Sequence, residues 1–108
     1  MCSQPANPAL RPIAAIDPTV HAPARLSILA LLSVVESADF TFVRNQTGLT
    51  GGNLSAHLNK LEAVGYVVVT KEFVNKVPRT LIRLSEEGRA AVQTYRETMR
   101  QVLLGLGV

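Results

Sequence analysis

The segment from Leu49 to Tyr66 constrains the fold more than any other part of the chain, because it predicts a short helix followed at once by a strand. At about 100° per residue, one narrow stripe of this helix holds Leu54, Leu58 and Leu61. The opposite side collects small, amide and basic residues, namely Gly52, Asn53, Ala56, Asn59 and Lys60. We expect the leucine stripe to pack on a core and the opposite face to stay outside. The alternative is an ordinary amphipathic helix with short surface side chains.

Two runs with strand character follow this helix. Gly65 is expected to end the helix in a left-handed conformation. Residues 66–73 are rich in β-branched and aromatic side chains, and residues 79–84 alternate between two faces. The residues between them, 74–78, predict a hairpin tip that carries the cation Lys76.

Upstream segments predict the remaining helices. Residues 42–48 are expected to form a short helix that ends in glycine, and Thr50 is expected to cap the next helix. A longer first helix is expected to start at Asp17-Pro18-Thr19, with Asp17 or Thr19 as its cap. Its predicted apolar face includes Leu26, Leu29, Ala30 and Val34. Ser85 is expected to cap the last helix. This order predicts a winged helix-turn-helix fold, which is mainly α with a small β-hairpin wing (α+β).

Four segments in combination carry a resemblance to a known class of proteins, and they are Ala24–Leu29, Leu49–Leu58, Leu61–Val67 and Leu84–Arg89. From about Asp17 to Met99 the chain resembles compact, single-domain winged-helix transcriptional regulators of the MarR, ArsR and PadR type. The resemblance implies sequence-specific binding to double-stranded DNA as a homodimer, in a bacterial or archaeal cytoplasm. The sequence departs from the pattern at Gly52 and Ala56, where many relatives place longer polar side chains.

Positive charge is concentrated in the predicted motif. The 108 residues carry a net charge of +3, and between Phe40 and Ser85 the lysines and arginines outnumber the two glutamates. This placement favours phosphate contact, with solvated surface charge as the alternative for each single cation. The length predicts one domain, divided into a flexible N-terminal arm at 1–16, a winged helix-turn-helix domain at 17–84 and a C-terminal dimerisation helix at 85–108.

Geometry suggests a DNA-binding role for several side chains. Those expected nearest the bases are Gly52, Asn53, Ala56 and Asn59, and those expected to neutralise phosphates are Lys60, Lys76 and Arg79. The wing tip is expected to reach the minor groove. Thr50 and Ser55 are expected to donate to the DNA backbone. For His57, phosphate contact and packing against the turn both remain open, and Arg44 is either a phosphate contact or a solvated side chain.

The last helix carries an apolar seam. Its members follow a coiled-coil-like spacing and are Val92, Tyr95, Met99, Val102 and Leu106, with Leu103 alongside. A core of this size is not expected to cover the whole seam, so the pattern predicts contact with a second subunit. A two-fold dimer would place two reading helices about 34 Å apart on an inverted-repeat operator. The alternative is that the helix folds back on its own core.

Other function classes find less support in the residues. Two separated histidines, one terminal cysteine and the absence of a glycine-rich phosphate loop predict no enzyme, no cofactor and no metal centre. No apolar run approaches the ~20 residues of a membrane span, so a cytoplasmic protein without membrane contact is expected. A winged-helix module that binds another protein instead of DNA is the main alternative. Binding of a small-molecule effector at the dimer cleft is a further alternative, although no sequence pattern identifies such a ligand.

Overall fold

A computed structural model describes residues 10–107, which form five helices and a three-stranded sheet. The helices are α1 (Arg11–Ala14), α2 (Pro23–Leu32), α3 (Phe40–Thr47), α4 (Gly51–Ala63) and α5 (Glu86–Gly105). The strands are β1 (Ala38–Asp39), β2 (Val67–Val74) and β3 (Val77–Leu84). The predicted winged helix-turn-helix fold is confirmed. Within residues 10–107, no helix is both long and apolar enough to cross a bilayer.

The sheet is antiparallel, with β3 between β1 and β2. Strands β2 and β3 form the wing, a regular hairpin in which Val67 pairs with Leu84 and Val74 with Val77. Only two residues connect the strands, and both have positive φ, 52° at Asn75 and 66° at Lys76. Such a turn matches the right-handed twist of the strands. The hairpin tip is therefore tighter than the predicted loop at 74–78.

The core lies where α2, α3 and α4 meet the base of the wing. Its fully buried members come from these elements and from the turn before α2, and they are Val20, Ile28, Leu29, Leu32, Val43, Leu54, Leu61 and Ile82. The leucine stripe of α4, completed by Leu58, is buried as predicted. Burial of this stripe fixes the rotation of α4 about its axis, because each large apolar side chain removed from water contributes about 1.5–3 kcal/mol.

The start of the first long helix differs from the prediction. Helix α2 begins at Pro23, and its N-cap, Ala22, provides no side-chain cap. Asp17 and Thr19 form a turn instead, since Asp17 Oδ1 accepts a 2.9 Å hydrogen bond from the Thr19 backbone N–H. The predicted apolar face is also partly wrong, because Ala30 is exposed and Val34, which lies beyond the helix end, is 78% exposed.

The predicted N-terminal arm at 1–16 is wrong in its last part. Residues Arg11–Ala14 form α1, which packs against α5. Pro12 fits this short helix because proline is accepted in a first helical turn, where its missing N–H is not needed. Residues 1–9 of the arm lie outside the described residues, as does residue 108 at the end of the predicted dimerisation helix.

The apolar seam of α5 is partly used inside the chain. Tyr95 is 9% exposed and belongs to the core, and its hydroxyl lies 2.8 Å from Nδ1 of His21. Val102 is 8% exposed, and Val92 and Met99 pack on the core. Val92, Tyr95 and Met99 therefore follow the alternative in which the helix folds back on its own core, whereas contact of the seam with a second subunit stays a prediction. Leu103 and Leu106 remain exposed, together with Leu104.

A compact joint connects α4, the wing and α5. The chain leaves α4 through Gly65, at φ 82°, and the Tyr66 N–H returns to the Leu61 carbonyl at 2.9 Å. Ser85 caps α5 as predicted, because its Oγ accepts from the Gly88 N–H at 2.9 Å and donates to the Gly65 carbonyl. The joint fixes the direction of the wing relative to α4.

Candidate nucleic-acid interface

The helix-turn-helix consists of α3, a short turn and α4. Asp39 caps α3 by accepting a 2.7 Å hydrogen bond from the Phe42 N–H, so the helix starts two residues earlier than predicted. Gly48 ends α3 in the left-handed conformation at φ 74°. The predicted cap of α4 is confirmed, since Thr50 Oγ1 accepts from the Asn53 N–H at 3.1 Å. Its hydroxyl proton is left to donate elsewhere.

The outward face of α4 is small and polar. Its exposed residues include all five that the sequence placed opposite the leucine stripe, with Ser55 beside them: Gly52, Asn53, Ser55, Ala56, Asn59 and Lys60. A Cβ added at Gly52 would have no atom within 4 Å, so no residue in the range 10–107 covers this position. The face thus combines close backbone access with amide groups, which suit base edges in a DNA major groove.

An open groove of about 460 Å³ separates α4 from the wing. Ser55 and Asn59 line it from the helix, and Lys71 and Thr80 line it from the strands. Glu62 adds a carboxylate to the lining. Helix and wing therefore form two sides of one concave surface.

The two predicted cations of the wing, Lys76 and Arg79, differ in their contacts. Lys76 is exposed in the two-residue turn. Arg79 lies 3.7 Å from Asp39, and both side chains are more than one third exposed. A pair this exposed is weak, at about 0–1 kcal/mol, so a phosphate can compete for the guanidinium. No local sequence pattern predicts this contact, which depends on the pairing of Asp39 with Leu81 across β1 and β3.

The sequence left two alternative roles open for each of Arg44 and His57. Arg44 is exposed in the last turn of α3. His57 is half-buried on the flank of α4 that faces away from the groove, and its Nδ1 lies 3.3 Å from the guanidinium of Arg25 on α2. Arg25 is thus a cation beside α4 that sequence reasoning missed, because 32 residues separate it from His57 and no motif links them.

In the range 10–107, no group of three or more His, Cys, Asp or Glu side chains is placed to hold a metal ion.

Comparison with known proteins agrees with this geometry. Residues 24–103 match the family model of a winged helix DNA-binding domain. The chain is 38% identical over 71 residues to an uncharacterized protein of Methanocaldococcus jannaschii, a match that covers 66% of this chain and 77% of that protein.

Two solved structures extend the likeness to the fold. A transcriptional regulator homologue from Pyrococcus horikoshii OT3 superposes with a TM-score of 0.83 at 27% identity, covering 93% of this chain and 98% of that one. The transcriptional repressor CouR, bound to a 23-mer DNA duplex, has a TM-score of 0.68 at 25% identity, covering 85% of this chain and 62% of that one. The predicted resemblance to winged-helix transcriptional regulators is confirmed, and the chain belongs to the winged helix DNA-binding domain family.

Proposed function

We propose that this protein is a transcriptional regulator that binds double-stranded DNA sequence-specifically as a homodimer. Helix α4 enters the major groove, and the wing lies on the backbone or in the minor groove. The observation that carries the proposal is the exposed face of α4, where Asn53 and Asn59 stand among small residues beside a cationic wing. The structure of CouR, a repressor that shares this fold and is bound to a DNA duplex, supports duplex DNA as the partner.

The individual roles follow from position on this surface. The residues nearest the bases are Gly52, Asn53, Ala56 and Asn59. Phosphate contacts come from Lys60, Lys76 and Arg79, with hydroxyl donors at Thr50 and Ser55, and Arg44 adds a contact from α3. A DNA target implies action in the compartment that holds the DNA, which in a bacterial or archaeal cell is the cytoplasm.

The homodimer part of the proposal rests on apolar surface that the described residues leave uncovered. At the end of α5, Leu103, Leu104 and Leu106 are 45–64% exposed, and Leu10 and Ile13 at α1 are similarly exposed. Exposed leucines in a cluster are unfavourable in water and mark interaction sites. A two-fold contact through this end would present two copies of α4 to an inverted-repeat operator.

The test is binding to duplex DNA as a function of salt. We expect wild-type protein to bind a random duplex at low salt, with an affinity that falls as salt increases. Lys76→Ala should weaken binding to all sequences and reduce the salt slope by about one unit for each protomer. Asn53→Ala should instead erode discrimination between operator and random DNA by about 1–3 kcal/mol, once an operator has been selected from genomic fragments. Salt-independent binding by the wild type would contradict the proposal.

One observation favours a protein-binding module as the second candidate. Phe73 at the wing tip is 75% exposed and Val77 is 59% exposed, which is more apolar surface than phosphate contact requires. If the wild type does not bind a random duplex at low salt, this second candidate replaces the first.

A further inference from the structure

Arg25 is held in one orientation by three contacts. Its Nε donates to the Thr19 carbonyl at 2.7 Å, one terminal nitrogen donates to the Pro18 carbonyl at 3.4 Å, and the other lies 3.3 Å from Nδ1 of His57. A guanidinium has five N–H donors, so two stay without a partner among residues 10–107. The side chain is therefore fixed in direction and still able to bind an acceptor.

The charge of Arg25 is not neutralised by these contacts. Two of its partners are backbone carbonyls, and within the described range the ion pairs involve other residues, at Arg79 and Arg100. The nearby carboxylate of Asp17 is occupied, since Oδ1 accepts from the Thr19 N–H and Oδ2 accepts from the Tyr66 hydroxyl at 2.5 Å. Asp17 thus shapes the loop that holds Arg25 without pairing with it.

The contact with Arg25 also determines the proton position on His57. An arginine can only donate, so Nδ1 of His57 must be the acceptor. A neutral ring that accepts at Nδ1 carries its proton on Nε2. His57 is therefore fixed as a ring with an Nε2–H donor on the flank of α4.

Arg25 and His57 lie on the side of α4 opposite the wing. Ser55 and Asn59 face the groove toward the wing, whereas Arg25 and Lys60 line a separate cleft of about 390 Å³ with Pro18, Thr19, Ala63 and Val64. A helix in a major groove about 12 Å wide has a phosphate strand on each side. The wing supplies cations on one side, and the other side needs its own.

We propose that Arg25, His57 and Lys60 form a second phosphate-binding ridge, which grips the DNA strand on the side of α4 away from the wing. Arg25 binds through its two remaining N–H groups, His57 through Nε2–H, and Lys60 through its ammonium. The inference rests on the proposed function, and it assigns to α2 a DNA contact outside the helix-turn-helix and the wing.

The test combines a salt titration with a probe of the ring. Fluorescence anisotropy with a labelled random duplex gives the dependence of log K on log salt concentration for the wild type, Arg25→Met and Arg96→Met. Arg96, exposed on α5, is the matched control for loss of one positive charge. Arg25→Met should reduce the salt slope by about 0.9 for each protomer bound, and Arg96→Met should leave it unchanged. An unchanged slope for Arg25→Met would overturn the ridge, because a purely structural arginine affects thermal stability and not counterion release.

A second pair of variants covers the case in which Arg25→Met fails to fold. His57→Ala should weaken binding several-fold, whereas His57→Gln should retain most of it, because a glutamine amide accepts from Arg25 and still offers an N–H donor. Equal binding by both variants would contradict the role given to His57.

Long-range proton–nitrogen NMR of the imidazole tests the geometry without DNA. The wild type should show the Nε2–H form of His57, and Arg25→Met should show a mixture of tautomers. A wild-type ring protonated at Nδ1 in its neutral form would refute the contact itself. If the wild-type protein binds no duplex at all, the proposed function fails. If the wild type binds and Arg25→Met leaves the salt slope unchanged, only the ridge fails.

Discussion

Gly88 is in the first turn of α5 and packs against the backbone of Tyr66. A Cβ built on Gly88 would lie 1.9 Å from the Tyr66 carbonyl oxygen and 2.8 Å from its carbonyl carbon. The contacting atoms belong to the main chain and not to a flexible side chain. Gly88→Ala therefore forces α5 and the base of the wing apart by more than 1 Å, since Cβ contacts under 3.0 Å essentially never occur.

The cost of that shift follows from what surrounds it. The same Tyr66 oxygen accepts the Ser85 N–H at 3.1 Å, and Ser85 Oγ holds the Gly88 N–H at 2.9 Å. Overpacking costs about 1–3 kcal/mol, and each hydrogen bond lost adds about 1 kcal/mol. Alanine returns about 1 kcal/mol of helix propensity. The net loss should be about 2–4 kcal/mol, or roughly 10–30 °C in melting temperature for a domain of this size.

Thermal and urea unfolding followed by circular dichroism measure this loss. Gly52→Ala is the matched control, because its added methyl group meets no atom within 4 Å and it lies in a helix. The control should be stabilised by about 0.5–1 kcal/mol, so the same substitution has opposite signs at the two positions. A Gly88→Ala protein that melts within a degree or two of the wild type would refute the close approach of α5 to Tyr66.

Two further predictions concern pH and assembly. The hydrogen bond to Asp17, with burial and the negative charge of Asp17 as smaller causes, raises the pKa of Tyr66 above its ordinary value near 10. The contribution of the Tyr66–Asp17 hydrogen bond to stability is therefore complete below pH 10, and it is lost as the pH rises through the folded-state pKa of Tyr66. The stability difference between wild type and Tyr66→Phe in urea should shrink above pH 10, and a difference that stays constant from pH 8 to pH 11 would contradict the contact. For assembly, Leu104→Glu should convert a dimer into the 11.6 kDa monomer in sedimentation at micromolar concentration, whereas Val34→Glu should not. A wild-type protein that sediments only as the monomer would remove the dimer.

Local patterns in the chain were enough to predict the helix-turn-helix and the wing. The leucine stripe of α4, the Thr50 and Ser85 caps and the left-handed glycines at 48 and 65 all act between residues a few positions apart. Periodicity and capping depend on neighbours along the chain, so they are readable without knowledge of the fold.

Contacts between distant segments could not be obtained in this way. Two contacts, Arg25–His57 and Arg79–Asp39, join residues that are far apart in sequence. The burial of Tyr95 likewise depends on segments distant from α5. The seam of α5 illustrates the limit, because its spacing shows that one face is apolar and not what covers that face. Only the tertiary structure assigned part of the seam to the chain's own core and left the leucines at its end exposed. A side-chain pattern specifies which surface avoids water, but the partner of that surface is decided by which elements the folded chain brings within contact distance.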